Sequence, residues 1–103
     1  MGSWGMRIVA VGSRTFVAGF KIAGAEGIEV TSPEDALNQI RILVNNPEVG
    51  LIVVSEDLSS QFRAQLNEIR ARRATPLIYE LPPPTGRPKR IDYRAMLREV
   101  LGI

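Results

Sequence analysis

The sequence predicts an α/β domain: a doubly wound, four-stranded parallel sheet in the order 2-1-3-4, with helices on both faces and a further helix at the carboxyl end. Three observations carry this expectation. Short, largely β-branched runs alternate with segments of helical period, four times over between Met6 and Ile103. The third run, Gly50-Leu51-Ile52-Val53-Val54, is apolar throughout, as suits a central parallel strand buried on both faces. Helices of this length between strands require right-handed crossovers, and therefore a parallel sheet.

Strand one is Arg7-Ile8-Val9-Ala10-Val11, closed by Gly12. Helix one takes Ser13 or Thr15 as its cap and places Phe16, Phe20 and Ala23 on one face. Gly24 stands where a helix stop belongs, and Gly27 follows it. Strand two, Ile28-Glu29-Val30, is short and belongs at or near an edge. Helix two has the clearest start: Ser32 as N-cap, Pro33 at the first helical position, and Glu34 with Asp35 complementing the dipole. Its apolar stripe is Leu37, Ile40, Leu43 and Val44, and Asn45-Asn46-Pro47 stops it. Helix three carries Leu58, Phe62, Leu66 and Ile69 as one stripe. Strand four, Leu77-Ile78-Tyr79-Glu80-Leu81, is entered through Pro76 and left through Pro82-Pro83-Pro84. The last helix starts near Asp92 and buries Met96, Leu97, Val100 and Leu101, with Ile91 and Met96 spaced as a hydrophobic staple.

A chain of 103 residues fits one core and not two. Met1-Gly2-Ser3-Trp4-Gly5 has neither the basic start nor the apolar core of a signal peptide, and reads as an added leader before a natural start at Met6. Residues 6–81 form the core, and 82–103 a proline-rich basic loop with the last helix. The longest apolar runs are about five residues, far from the ~20 that span a bilayer, so no direct membrane insertion is expected. With no Cys and no His, the chain lacks thiolate nucleophiles, disulfides and the commonest general base and metal ligand. A net charge of +2 is too small to call for a nucleic-acid partner.

Folds of this kind place their active residues on loops at the carboxyl ends of the strands. Here those loops are Gly12-Ser13-Arg14-Thr15, Thr31-Ser32-Pro33, Ser55-Glu56-Asp57 and the run 82–90. Glycines at 12, 19, 24 and 27 satisfy neither the G-x-G-x-x-G nor the Walker spacing, so Gly12 as turn-former and Ser13 as cap explain the first loop. A phosphoacceptor domain needs an acidic pair after strand one, where this chain has Ser13 and Arg14. Glu56 and Asp57 suit a helix start. Arg70-Ala71-Arg72-Arg73 closes a helix that begins with those acids, the charge order a dipole prefers, and reads as a solvated end. Arg87-Pro88-Lys89-Arg90 follows a stiff proline exit and precedes Arg94 and Arg98, a like-charged i,i+4 pair. An acidic protein surface would relieve that repulsion; a solvated face is the alternative. The small residues Ala18, Gly19, Ala23 and Gly24 around Phe20 suit packing on the domain's own sheet or a close contact with a partner helix.

Several segments resemble the F subunit of the archaeal and bacterial A/V-type rotary ATPases. Gly19-Phe20-Lys21-Ile22-Ala23-Gly24 is similar to that family's G-F-x-aliphatic-A-G segment. Ile52-Val53-Val54-Ser55-Glu56 resembles its strand ending in Thr or Ser before Glu, and Pro76 to Pro82 its P-x-I-x-x-I-P strand. Leu101-Gly102-Ile103 suits its short Gly-containing end. Many relatives have Gly-Asp where this chain has Gly12-Ser13, a departure that bears on any contact made by that acid and not on the fold.

The resemblance implies a Rossmann-like core and a non-catalytic component of the central rotor stalk, with no cofactor or metal of its own. Such a component binds the coiled-coil rotor protein of the stalk, the D subunit, and turns with it inside the catalytic ring of A and B subunits. It is cytoplasmic and peripheral to the membrane, and supports or regulates ATP synthesis or hydrolysis coupled to ion transport. On this reading the partner-binding residues are Phe20 and Lys21 on helix one, and Arg87, Lys89, Arg90, Arg94 and Arg98 in the carboxyl-terminal segment. The alternatives are a small-ligand or nucleotide-binding Rossmann-like regulatory module and, behind it, a divergent receiver-type domain.

Overall fold

The computed structural model describes residues 6–83 together with Ala95 and Arg98, both helical. Strands β1 (Arg7–Gly12), β2 (Glu26–Glu29), β3 (Val49–Ser55) and β4 (Leu77–Leu81) form one parallel sheet. They are linked by α1 (Arg14–Ile22), α2 (Pro33–Leu43), α3 (Glu56–Ser59) and α4 (Arg63–Arg72), with a 3-10 turn at Ser60–Phe62 between the last two. The strand order is β2-β1-β3-β4, as the sequence predicts. Every residue of β3 is buried, which explains its unbroken apolar run. Among the described residues no helix is long and apolar enough to cross a membrane.

Alternation along the strands divides the core into two layers. Val9, Val11, Ile52, Val54 and Ile78 face one side and meet Ile40 and Leu43 of α2, Phe62, and Leu66 of α4. Ala10, Leu51 and Val53 face the other side and meet Phe16, Val17 and Phe20 of α1. Burying each such aliphatic or aromatic side chain contributes about 1.5–3 kcal/mol, so these layers dominate the stability.

The helix starts follow the local chemistry. Ser13 Oγ accepts from the Phe16 amide at 3.3 Å and Ser32 Oγ from the Asp35 amide at 3.1 Å. Helix α1 ends in a Schellman motif: Gly24 adopts φ +103°, its N–H reaches Lys21 O, and the Ala25 N–H reaches Phe20 O. That reversal delivers the chain directly into β2, which begins at Glu26 rather than Ile28. Val30 lies past the strand, although its N–H still donates to Gly12 O at 2.9 Å.

Helix three is not continuous. Ser59 Oγ and Ser60 Oγ lie 3.5 and 3.4 Å from the carbonyls of Glu56 and Asp57, three residues back, and the backbone tightens into the 3-10 turn. Phe62 leaves helical geometry at φ −134° and ψ 32°. The turn nevertheless keeps Phe62 and Leu66 buried on one face, so the predicted stripe survives the break.

Helix α1 can approach the sheet because two β-carbons are missing. A Cβ on Gly12 would lie 2.6 Å from Phe16 Cδ2 and 3.0 Å from its Cγ, and one on Gly27 would collide with Val17 Cγ1. Phe16 has no exposed surface and nowhere to move. Gly12→Ala is therefore expected to destabilise the fold by about 1–3 kcal/mol, read as a lower urea midpoint.

Candidate partner-binding surfaces and the strand-end loops

The loops at the carboxyl ends of β1, β2 and β3 are engaged by the protein itself, while residues 84–90 of the loop after β4 lie outside the described residues. A Cβ at Gly12 would meet the buried Phe16 ring, so this glycine serves the close seat of α1 on the sheet. Ser13 and Ser32 serve as caps. The side chain of Arg14 reaches Glu29 at 3.3 Å while remaining largely exposed. Ser55, buried at the end of β3, donates to the Asp57 carboxylate. Among the described residues no group of three or more acidic, His or Cys side chains could hold a metal ion.

Of the two candidate residues on α1, Phe20 is fully buried, its ring centroid 4.9 Å from that of Phe16. It has no surface to offer a partner directly; what it does is hold α1 to the sheet. Lys21 is exposed, and its aliphatic stem runs over Gly27, where a Cβ would meet Lys21 Cε at 3.0 Å. Ile22 beside it is 77% exposed. Of the small residues, Ala23 packs against the core, while Ala18 is exposed. Arg87, Lys89, Arg90 and Arg94 lie outside the described residues, and Arg98 is helical and exposed.

The arginines at the end of α4 are not simply solvated, which corrects the reading from charge order alone. Arg73 donates to Val44 O at 2.9 Å and to Asn45 Oδ1 at 2.7 Å, capping the carboxyl end of α2. Arg70 donates to Ile78 O at 2.7 Å and lies 3.5 Å from Glu80 Oε2. Arg72, the remaining member of the cluster, is exposed. The contacts of Arg70 and Arg73 with other elements span 8 to 29 residues of chain and leave no trace in the local charge pattern.

Glu80 is the residue that sequence reasoning missed. Its side chain is 12% exposed and accepts from Arg63 at 2.7 and 3.1 Å as well as facing Arg70. The available signal was an acid inside an apolar strand, opposite a helix bearing arginines seven residues apart. The Arg63 hydrogen bonds hold the Glu80 carboxyl below its ordinary range, against a desolvation that pushes it up; Ser59 and the charge of Arg70 assist Arg63. At the opposite end of the sheet, Arg7 holds the Glu26 carboxyl low through two contacts of 2.7 Å.

Both carboxyl pKa values are depressed in the folded state. Their contribution is therefore complete above the unfolded value of about 4.3 and is lost as pH falls through the folded values. Glu80→Gln should lower the melting temperature at pH 7 by several degrees and weaken its fall below about pH 4.3, as measured by calorimetry. A second expectation separates the two residues on α1. Phe20→Ala should cost about 3–5 kcal/mol in urea unfolding, whereas Lys21→Glu should leave the midpoint nearly unchanged.

The fold is a parallel α/β domain in which the described loops after β1, β2 and β3 are occupied by helix caps and by contacts of the chain with itself. The family model described as "ATP synthase (F/14-kDa) subunit" matches residues 8–99, and the chain belongs to that family. Similar proteins include the A-type ATP synthase F subunit of Methanococcus aeolicus, 37% identical over 82 residues that cover 79% of this chain and 78% of the relative. The F subunit of Methanothermobacter thermautotrophicus is 32% identical over 93% of this chain and 92% of its own length. That of Methanocaldococcus jannaschii is 29% identical over 95% and 97%.

Proposed function

We propose that this chain is a non-catalytic central-stalk component of an A/V-type rotary ATPase. The family match along residues 8–99 carries the proposal. The strand-end loops support it, because catalysis assigned to neighbouring subunits asks nothing of them. In this reading the protein grips the coiled-coil rotor protein, the D subunit, and turns with it, peripheral to the membrane on the cytoplasmic side. Residues 82–103 form a separate contact segment that reaches toward the A and B subunits of the catalytic ring.

The roles divide by chemistry. Phe20 acts from behind, fixing α1 so that Lys21 is presented to a partner. Arg87, Lys89, Arg90, Arg94 and Arg98 supply contacts to an acidic rotor or ring surface, which relieves the repulsion between Arg94 and Arg98. Docking of the rigid domain stiffens the coiled coil, and the contact segment adjusts the ATP hydrolysis or synthesis coupled to ion transport.

Arg90→Glu with Arg94→Glu, reconstituted with the other stalk and ring subunits, should weaken assembly and alter ATPase activity while the isolated protein keeps its melting temperature. Unchanged assembly and activity would remove the segment from the proposal. A nucleotide-binding module would behave otherwise: ATP, NAD or FMN would raise its melting temperature by mass action. No rise is expected here.

A further inference from the structure

Helices α1, α2 and α4 each return the chain from the carboxyl ends of the parallel strands to their amino ends. The last turns of these helices and the starts of β1, β3 and β4 therefore gather at one end of the domain. The large apolar residues that stand exposed among the described residues are all at that end. Met6 precedes β1 and Ile22 closes α1, while Ile42 lies in the last turn of α2 at 63% exposure and Leu77 opens β4 at 51%. The ladder aligns the strand starts, with Arg7 opposite Val49 and Leu77 opposite Leu51.

Charge divides along the same axis. The carboxyl ends of the strands carry Glu29, Glu34, Asp35, Glu56 and Asp57 beside Arg14 and Arg63. The amino end carries Lys21, Arg41, Arg72 and Arg73, all exposed, and there Glu26 and Glu48 are engaged by Arg7. Between the end of α2 and the approach to β4 lies a recess of about 210 Å³, whose lining includes Asn45, Asn46, Arg73 and Thr75. That is smaller than the roughly 300–1,000 Å³ of small-molecule sites and suits one side chain. Arg73 is held in its wall by Val44 O and Asn45 Oδ1, and its guanidinium has more donors than those two acceptors use.

We propose that the amino-terminal end of the sheet is the docking face for an acidic amphipathic helix of a partner. Carboxylates of that helix meet Arg41, Arg72 and Arg73, one of them entering the recess, and its apolar residues meet Ile42 and Leu77. A lipid surface calls for one continuous apolar face, whereas these aliphatic residues stand singly on separate elements around a polar recess. A second copy of the chain would set cations against cations. The inference deepens the stalk reading, on which the identity of the helix as part of a coiled coil rests.

The test is calorimetric titration of the full chain with the coiled-coil rotor protein. Ile42→Glu with Arg72→Glu should weaken binding at least tenfold and leave the urea midpoint nearly unchanged, since both positions are exposed. Arg41→Glu with Arg72→Glu makes the same test without altering an apolar residue, and decides the matter if the first variant does not fold. Glu34→Arg, at the opposite end, should bind as the parent does. Raising salt from about 0.1 to about 0.5 M should weaken parent binding several-fold by screening the charge pairs. Parent-like binding by both double variants overturns the proposal, as does loss of binding on Glu34→Arg alone. Parent binding to vesicles of phosphatidylserine and phosphatidylcholine that Arg41→Glu with Arg72→Glu abolishes would assign the face to lipid and overturn it. A parent dimer dispersed by Ile42→Glu in sedimentation would do the same in favour of a second copy. A parent that does not bind the rotor protein removes the stalk reading as well, whereas binding that both double variants retain overturns the docking face alone.

Discussion

Helix α1 seats on the sheet through two missing β-carbons, one at Gly12 beneath Phe16 and one at Gly27 beneath Val17. Phe16 and Phe20 pack against each other at a tilt beneath α1, and Ser13 caps the amino end of the helix. The outward face of α1, with Lys21 and Ile22, is held in a defined place by that packing.

Away from α1, arginines organise the margins of the domain. Arg7 bridges Glu26 and Glu48, Arg73 caps α2, and Arg63 with Arg70 holds β4. The exposed pairs of Arg7 with Glu26 and Glu48 contribute little energy individually. Their effect lies in the planar guanidinium fork, which fixes orientation where apolar contact is sparse.

Much of this was legible in the residues themselves. Ser32-Pro33-Glu34-Asp35 announces α2, the unbroken run before Ser55 announces a central strand, and the crossover rule then orders the sheet. What stayed hidden depends on distant chain. Gly27 reads locally as a loop glycine, and only Val17 lying over it explains its place inside β2. The stripe through Leu58, Phe62 and Leu66 has helical spacing, and the adjacent serines that tighten the backbone between them do not disturb it. Arg70 and Arg73 look like a dipole-complementing helix end because their acceptors, Ile78, Glu80, Val44 and Asn45, lie on other elements. Phe20 shows the converse: a residue read from the sequence as partner-binding lies fully buried against the sheet.

The central claim is that this domain works by being held between partners rather than by reacting. The most direct measurement is capture of the chain from native membranes under mild conditions, with the bound proteins identified and counted. The account predicts recovery with the coiled-coil rotor protein and the catalytic-ring proteins in fixed stoichiometry. Recovery of the chain with none of them would contradict it.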